Sequence, residues 1–174
     1  MIKNRIFVYG TLMENFRNYN KYLKGHVLGH EKSYVYGKLY HLKNKNCPAL
    51  VDGNDIVYGE IMTFTDDENG SILKTMDSME EYFEGQDEVM YLRNNIRVYH
   101  MNGESEILPA YIFINTKMLN EKESEYIKLG DWRRYISEDG GTTDGSHRAS
   151  WFLEEPIQGR SIHYSPSQAG YYGW

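Results

Sequence analysis

Two short apolar runs, each broken by a glycine, constrain this chain more than any other feature: Tyr34-Val35-Tyr36-Gly37-Lys38-Leu39-Tyr40 and Ile56-Val57-Tyr58-Gly59-Glu60-Ile61-Met62. β-Branched and aromatic residues fit a pleated, half-buried surface. A glycine inside such a run marks a bulge, a bend or a close approach of a second backbone. Two interrupted strands therefore predict a strongly curved sheet or a small β-barrel. Helical patterns on either side of the strand region make the class α+β, with helices flanking the sheet.

The N-terminal run Ile6-Phe7-Val8-Tyr9 predicts a buried strand, and Gly10 allows the backbone to turn before Thr11 and Leu12. Beyond it Phe16, Tyr19 and Leu23 recur at helical spacing, which predicts an amphipathic helix over residues 14–24. A strand that turns into a helix leaves backbone N–H groups aimed above the turn, so residues 10–12 form a candidate anion site. An ordinary strand-turn-helix junction is the plainer reading.

Thr65-Asp66-Asp67-Glu68 matches a capping box, with Ile72, Leu73, Met76 and Met79 as the apolar face of the helix behind it. Asp77, Glu80, Glu81 and Glu84 gather at the end of that helix. Carboxylates there meet the negative end of the helix dipole and one another, which favours a raised pKa in at least one of them. A solvated acidic face is the alternative. Residues 90–93, 96–99 and 107–114 read as strands, with Asn102-Gly103 as a turn. Residues 121–129 fit a short helix or an extended segment, and Gly130-Asp131-Trp132 a turn with a large anchor.

Length and charge narrow the function classes. A chain of 174 residues fits one domain with room for a core. Its formal charge of −6 argues against non-specific nucleic-acid binding, which depends on neutralising phosphates. Cys47 is the single cysteine, so an intrachain disulfide and a cysteine-based metal cluster are excluded. The six histidines have no metal-ligand spacing. No run reaches membrane-span length, and a soluble, cytoplasmic protein with no membrane partner is the expectation. Sixteen tyrosines bring hydroxyls that need partners, which suits a polar cavity. From residue 137 the composition turns to Gly, Ser and Thr, yet Trp151, Phe152, Tyr171, Tyr172 and Trp174 argue against plain disorder. We therefore expect a domain over 1–136 and an extension over 137–174, docked or partly mobile. Wrapping the domain, covering a site and docking on a second subunit in a homodimer remain open for it.

The order of these pieces resembles the γ-glutamylcyclotransferase-like family. The resemblance rests on Val8-Tyr9-Gly10-Thr11-Leu12, Gly37-Lys38-Leu39-Tyr40, Pro48-Ala49-Leu50, Val57-Tyr58-Gly59-Glu60, Met76-Asp77-Ser78-Met79-Glu80, Tyr91-Leu92-Arg93, Ala110-Tyr111 and Gly130-Asp131-Trp132. It covers residues 6–135. It implies a small mixed β-barrel with flanking helices, a substrate loop at Tyr9, Gly10, Thr11 and Leu12, and a catalytic glutamate at Glu80, three residues after Asp77. Met76 stands where the family has leucine, a volume-conserving change. Glu81 and Glu84 are near enough to compete for the register, although the spacing from Asp77 favours Glu80. Tyr91 and Tyr111 join the substrate-binding set.

The implied reaction acts on a small-molecule γ-glutamyl amide: the substrate's own α-amine attacks the γ-carbonyl, releasing 5-oxoproline and a free amine. One carboxylate with a pKa lifted toward neutrality can take the ammonium proton and return it to the leaving nitrogen. Loop amides can hold the α-carboxylate or the developing oxyanion. The chemistry requires no cofactor and no metal. A transferase or amidohydrolase in the same pocket, or a non-catalytic γ-glutamyl-binding module, are the competing readings.

Overall fold

The structure is a computed structural model describing residues 1–81 and 88–138, apart from the side chains of Glu80 and Glu81. Among the described residues six strands and two α-helices follow in the order β1 (Ile2–Val8), β2 (Val27–Leu42), β3 (Cys47–Asp66), α1 (Ser71–Glu81), β4 (Tyr91–His100), β5 (Ser105–Phe113), β6 (Ser124–Tyr126) and α2 (Trp132–Glu138). The sheet runs β3-β1-β5-β4-β2, and β2 pairs again with β3, so five strands close into a barrel. The β1–β5 pairing is parallel, whereas β1–β3, β2–β3, β2–β4 and β4–β5 are antiparallel. This is the mixed barrel with flanking helices that the sequence predicts. β6 pairs with the end of β2, so within residues 121–129 only Ser124–Tyr126 is strand, with turns on either side.

The glycines act as the runs imply. The β2–β3 register shifts between Gly37 and Lys38, where the long hairpin bends. At Gly59 a β-carbon would lie 2.3 Å from the Val8 carbonyl oxygen and 2.6 Å from the Phe7 ring, so β1 can cross β3 closely only because no side chain stands there. Phe7, Val35, Leu39, Leu50, Val57, Ile61, Ile96, Val98, Ala110 and Ile112 are essentially inaccessible and form the core. β4 alternates in the expected way: Ile96 and Val98 are buried, and Asn95 is exposed.

Two local expectations are corrected. The helix predicted over 14–24 is shortened to residues 17–23, wide-wound over Tyr19–Leu23, because Asn15 takes a left-handed φ of 70° and interrupts the chain before it. The capping box predicted at Thr65 does not form either, since Thr65 still pairs with Lys3 on β1. Its hydroxyl donates instead to the His26 carbonyl. The cap of α1 is Asp66, 2% exposed, whose carboxylate accepts from the amides of Asp67, Ile72 and Leu73 at 2.8, 3.0 and 3.0 Å. Gly70, with φ 66°, turns the chain just before the helix rather than weakening its interior.

Among the described residues no helix is long and apolar enough to cross a membrane. The extension expected over 137–174 lies outside the described residues apart from its first two positions.

Candidate functional site

At the end of β1 the chain leaves the barrel after Val8 and passes through Tyr9, Gly10, Thr11 and Leu12, which are all buried. This loop borders a pocket completed by Arg17, Asn18, Cys47, Pro48, Met79, Tyr91 and Tyr111, with about 440 Å³ of space including the open solvent at its mouth. All six residues proposed from sequence to bind substrate therefore meet around one cavity, from positions as far apart as 9 and 111.

The loop is fastened from several sides. The Met13 amide donates to the Gly10 carbonyl at 2.9 Å, and the Asn18 and Tyr19 amides both donate to the Thr11 carbonyl, at 3.1 and 3.0 Å. The N–H groups of the short helical turn are thus spent on Thr11 and do not aim at the pocket, contrary to the helix-terminus picture. The amides of Thr11 and Leu12 themselves have no acceptor among the described residues. They are the donors available to an anion at this turn. The Asn18 side chain donates to the Thr11 hydroxyl at 2.7 Å and lies 3.3 Å from the Met79 sulfur, linking the loop to α1.

Three tyrosines frame the cavity, each with its hydroxyl hydrogen directed into the protein. Tyr9 donates to the Tyr111 carbonyl at 2.6 Å, Tyr91 to the Pro48 carbonyl at 2.6 Å, and Tyr111 to Asp77 Oδ1 at 2.8 Å. The Cys47 sulfur lies 3.5 Å from the Tyr91 oxygen, so that hydroxyl accepts from Cys47 while donating to Pro48. Tyr91 consequently stands as a wall of the pocket with its hydroxyl engaged on both sides, and its ring packs edge-on against Phe113.

Helix α1 supplies the opposite side. Met76 is fully buried and Met79 lines the pocket. Position 80 falls one turn beyond Met76 and three residues after Asp77, on the same face of α1. The Glu80 side chain itself lies outside the described residues, as does the whole of Glu84, so the proton-transfer role expected of Glu80 rests on its place in the helix. Asp77, which the sequence offered as part of an acidic cluster and as the marker that sets the register on Glu80, is a joint of the site: its carboxylate receives Arg93 Nε at 2.8 Å and Arg93 Nη2 at 3.0 Å beside the Tyr111 hydroxyl. Hydrogen bonding to Asp77 raises the Arg93 guanidinium further above its usual value. The spacing Asp77 to Arg93 to Tyr111 carries no periodic signal, and only the resemblance put these residues in one motif set. Arg17 and Asn18, also at the pocket, appeared in the sequence merely as polar residues between helical anchors.

Behind the loop sits a second polar group. Glu60, 4% exposed, lies 3.3 Å from Arg133 Nη2 and 3.7 Å from His30 Nδ1, and it accepts the Glu14 amide at 3.4 Å. Arg133 also donates to the Glu14 carbonyl at 3.1 Å and covers the Phe16 ring at 4.6 Å. Neighbouring Trp132 packs on Phe16 and donates to His41 Nδ1 at 3.2 Å. The expected anchor after Gly130 thus secures the far end of the substrate loop. Among the described residues no group of three or more His, Cys, Asp or Glu side chains is arranged to hold a metal ion.

Solved structures with the same architecture include YkqA from Bacillus subtilis, 20% identical with a TM-score of 0.56 over 81% of this chain and 44% of that one. An Arabidopsis thaliana protein solved in solution is 18% identical with a TM-score of 0.56, covering 80% of this chain and 87% of that one. An AIG2-like protein from Mus musculus is 24% identical with a TM-score of 0.50, covering 64% of this chain and 78% of that one. At these identities the likeness is one of fold. No curated protein sequence is significantly similar to the chain. The family model described as gamma-glutamyl cyclotransferase, AIG2-like, matches residues 6–134, from the last residues of β1 to the arginines of α2, and the chain belongs to that family.

Proposed function

We propose that the chain is a γ-glutamylcyclotransferase-like enzyme that cleaves a γ-glutamyl amide by intramolecular attack, releasing 5-oxoproline and a free amine. The observation that carries the reading is the convergence of Tyr9, Gly10, Thr11, Leu12 and Tyr111 on one pocket to which α1 contributes Met79, the residue before position 80. In the proposed reaction the α-carboxylate or the developing oxyanion binds the amides of Thr11 and Leu12. Glu80 takes a proton from the α-ammonium. The bond between the α-nitrogen and the γ-carbon then forms, and Glu80 passes that proton to the departing nitrogen as the amide C–N bond breaks. The ring nitrogen sheds its second proton on becoming an amide, and the released amine takes it up and departs as an ammonium. Intramolecular ring closure supplies proximity worth on the order of 7 kcal/mol or more when the reacting atoms are well oriented. What remains for the protein is folding the chain, moving the proton and stabilising charge.

The experiment is a panel of γ-glutamyl amides assayed for 5-oxoproline, run with the wild type and Glu80→Gln. Gln keeps the size of the side chain but cannot accept the proton, so turnover should be abolished with the thermal transition unchanged. Near-normal 5-oxoproline release by that variant rejects Glu80 as the proton carrier. Appearance of free glutamate, or cleavage of an N-acetylated substrate, rejects cyclisation in favour of hydrolysis.

A further inference from the structure

We infer that Asp77 is a positioning residue that fixes the Tyr111 hydroxyl as a hydrogen-bond acceptor for the substrate's α-amine. The inference rests on the functional reading above and adds a residue that this reading does not use. The geometry begins with direction. Tyr111 is 4% exposed and borders the pocket, and its oxygen lies 2.8 Å from Asp77 Oδ1. A carboxylate is an acceptor only, so the single hydrogen of the phenol points at Asp77. Toward any third group the Tyr111 oxygen can then only accept. Arg93 makes this arrangement rigid, because its guanidinium grips both oxygens of the same carboxylate in a fork that fixes the carboxylate plane. The contact ties α1 to β4 and β5 at the pocket edge.

The polarity suits the chemistry of the nucleophile. An α-ammonium has three N–H donors, and after losing one proton the amine still has two. An acceptor can hold one of those hydrogens through both states while the nitrogen lone pair attacks the γ-carbonyl. A hydroxyl that donated to the amine would instead cover the lone pair that must react. Asp77 thus sets which way the Tyr111 hydroxyl reads the substrate, whereas Tyr91, engaged with Pro48 and Cys47, takes no such part.

The test compares L-glutamine, which is itself a γ-glutamyl amide, with glutaramate, which lacks the α-amine. Calorimetric binding is measured on the full chain as wild type, Asp77→Leu, Tyr111→Phe, the double variant, and Arg93→Gln. The wild type is expected to prefer the amine-bearing ligand about tenfold or more, as expected for a hydrogen bond to a charged group. Tyr111→Phe and Asp77→Leu, which leaves no acceptor for the Tyr111 hydrogen, should each bring that preference to within about threefold, and the double variant should lose no more than Tyr111→Phe alone, because both remove one interaction. Arg93→Gln, which removes the tether and leaves the Tyr111 hydrogen bond, should retain most of the preference. Additive losses in the double variant, an equal loss in Arg93→Gln, or an unchanged preference in Tyr111→Phe would each overturn the inference. Preferential binding of glutamine that follows the expected pattern, with no 5-oxoproline released from any member of the amide panel, would reject the cyclisation reading while leaving this one standing. No amine preference in the wild type rejects the inference outright. Turnover that persists beside additive losses rejects the inference and spares the reading.

Discussion

Gly10 and Pro48 are packed so closely that a β-carbon on Gly10 would lie 2.2 Å from Pro48 Cγ and 2.8 Å from Cδ. The contact joins the substrate loop to the start of β3, and the carbonyl of that same proline holds the Tyr91 hydroxyl. The loop and one wall of the pocket therefore share a single point of support. Proline has few ways to yield, since its ring is fixed to the backbone.

Gly10→Ala should consequently displace either the loop or Pro48. Forcing a methyl into a packed site typically costs about 1–3 kcal/mol, and at about 2–4 °C per kcal/mol for a chain of this size a fall of several degrees in Tm is expected. Ligand binding should weaken further, because either movement shifts the Thr11 and Leu12 amides. Gly29→Ala, where nothing lies within 4 Å of the added carbon, is the control and should melt within a degree or two of the wild type. Equal melting of the two variants, measured by circular dichroism, would show that the Gly10–Pro48 contact is not a constraint.

The support beneath α1 is polar. Asp66 meets three backbone amides from a position 2% exposed, and the helix it begins carries Asp77, Met79 and position 80. Asp66→Ala removes the cap and strands those donors, for an expected loss of about 2 kcal/mol, at the upper end of the range for helix caps. Asp66→Asn keeps one acceptor oxygen and should fall between the variant and the wild type. Thr65→Ala should cost less than either, since Thr65 caps nothing. Urea unfolding of the three variants ranks them, and an Asp66→Ala midpoint equal to that of Thr65→Ala would return the cap to Thr65.

That error in the sequence reading has a physical source. A Thr-x-x-Glu pattern is local, but whether Thr65 has already left the sheet depends on its pairing with Lys3, more than sixty positions away in the chain. The barrel was legible because Gly37 and Gly59 interrupt otherwise regular strands, and each glycine answers a specific register shift or crossing. Tyr9 to Leu12 was legible as a turn, but the left-handed Asn15 that shortens the following helix was hidden, because asparagine is also an ordinary residue on a helix surface. The link from Asp77 to Arg93 and Tyr111 was the least visible, for it joins one helix to two strands 16 and 34 residues away.

The buried Glu60 gives the last expectation, in the pH dependence of stability. Burial raises its carboxyl above the usual 4.5, an effect larger than the opposing pull of Arg133 and His30 and of the Glu14 amide, while the Glu14 carboxylate adds to the rise. The folded protein therefore keeps a proton on Glu60 across a window above pH 4.5 in which the unfolded chain has released it. Since the folded state then binds more protons, the unfolding free energy contributed by this group is greatest below that window and falls as pH rises through it. Glu60→Gln removes the titration while retaining an oxygen for Arg133 to donate to. The stability of the variant relative to the wild type should accordingly grow as pH is raised from about 4 toward neutrality, with both proteins measured by urea unfolding at fixed ionic strength. The opposite slope, with the variant losing ground as pH rises, would mean that attraction to Arg133 and His30 outweighs burial. Glu60 would then act as the ionised partner that holds α2 against the substrate loop.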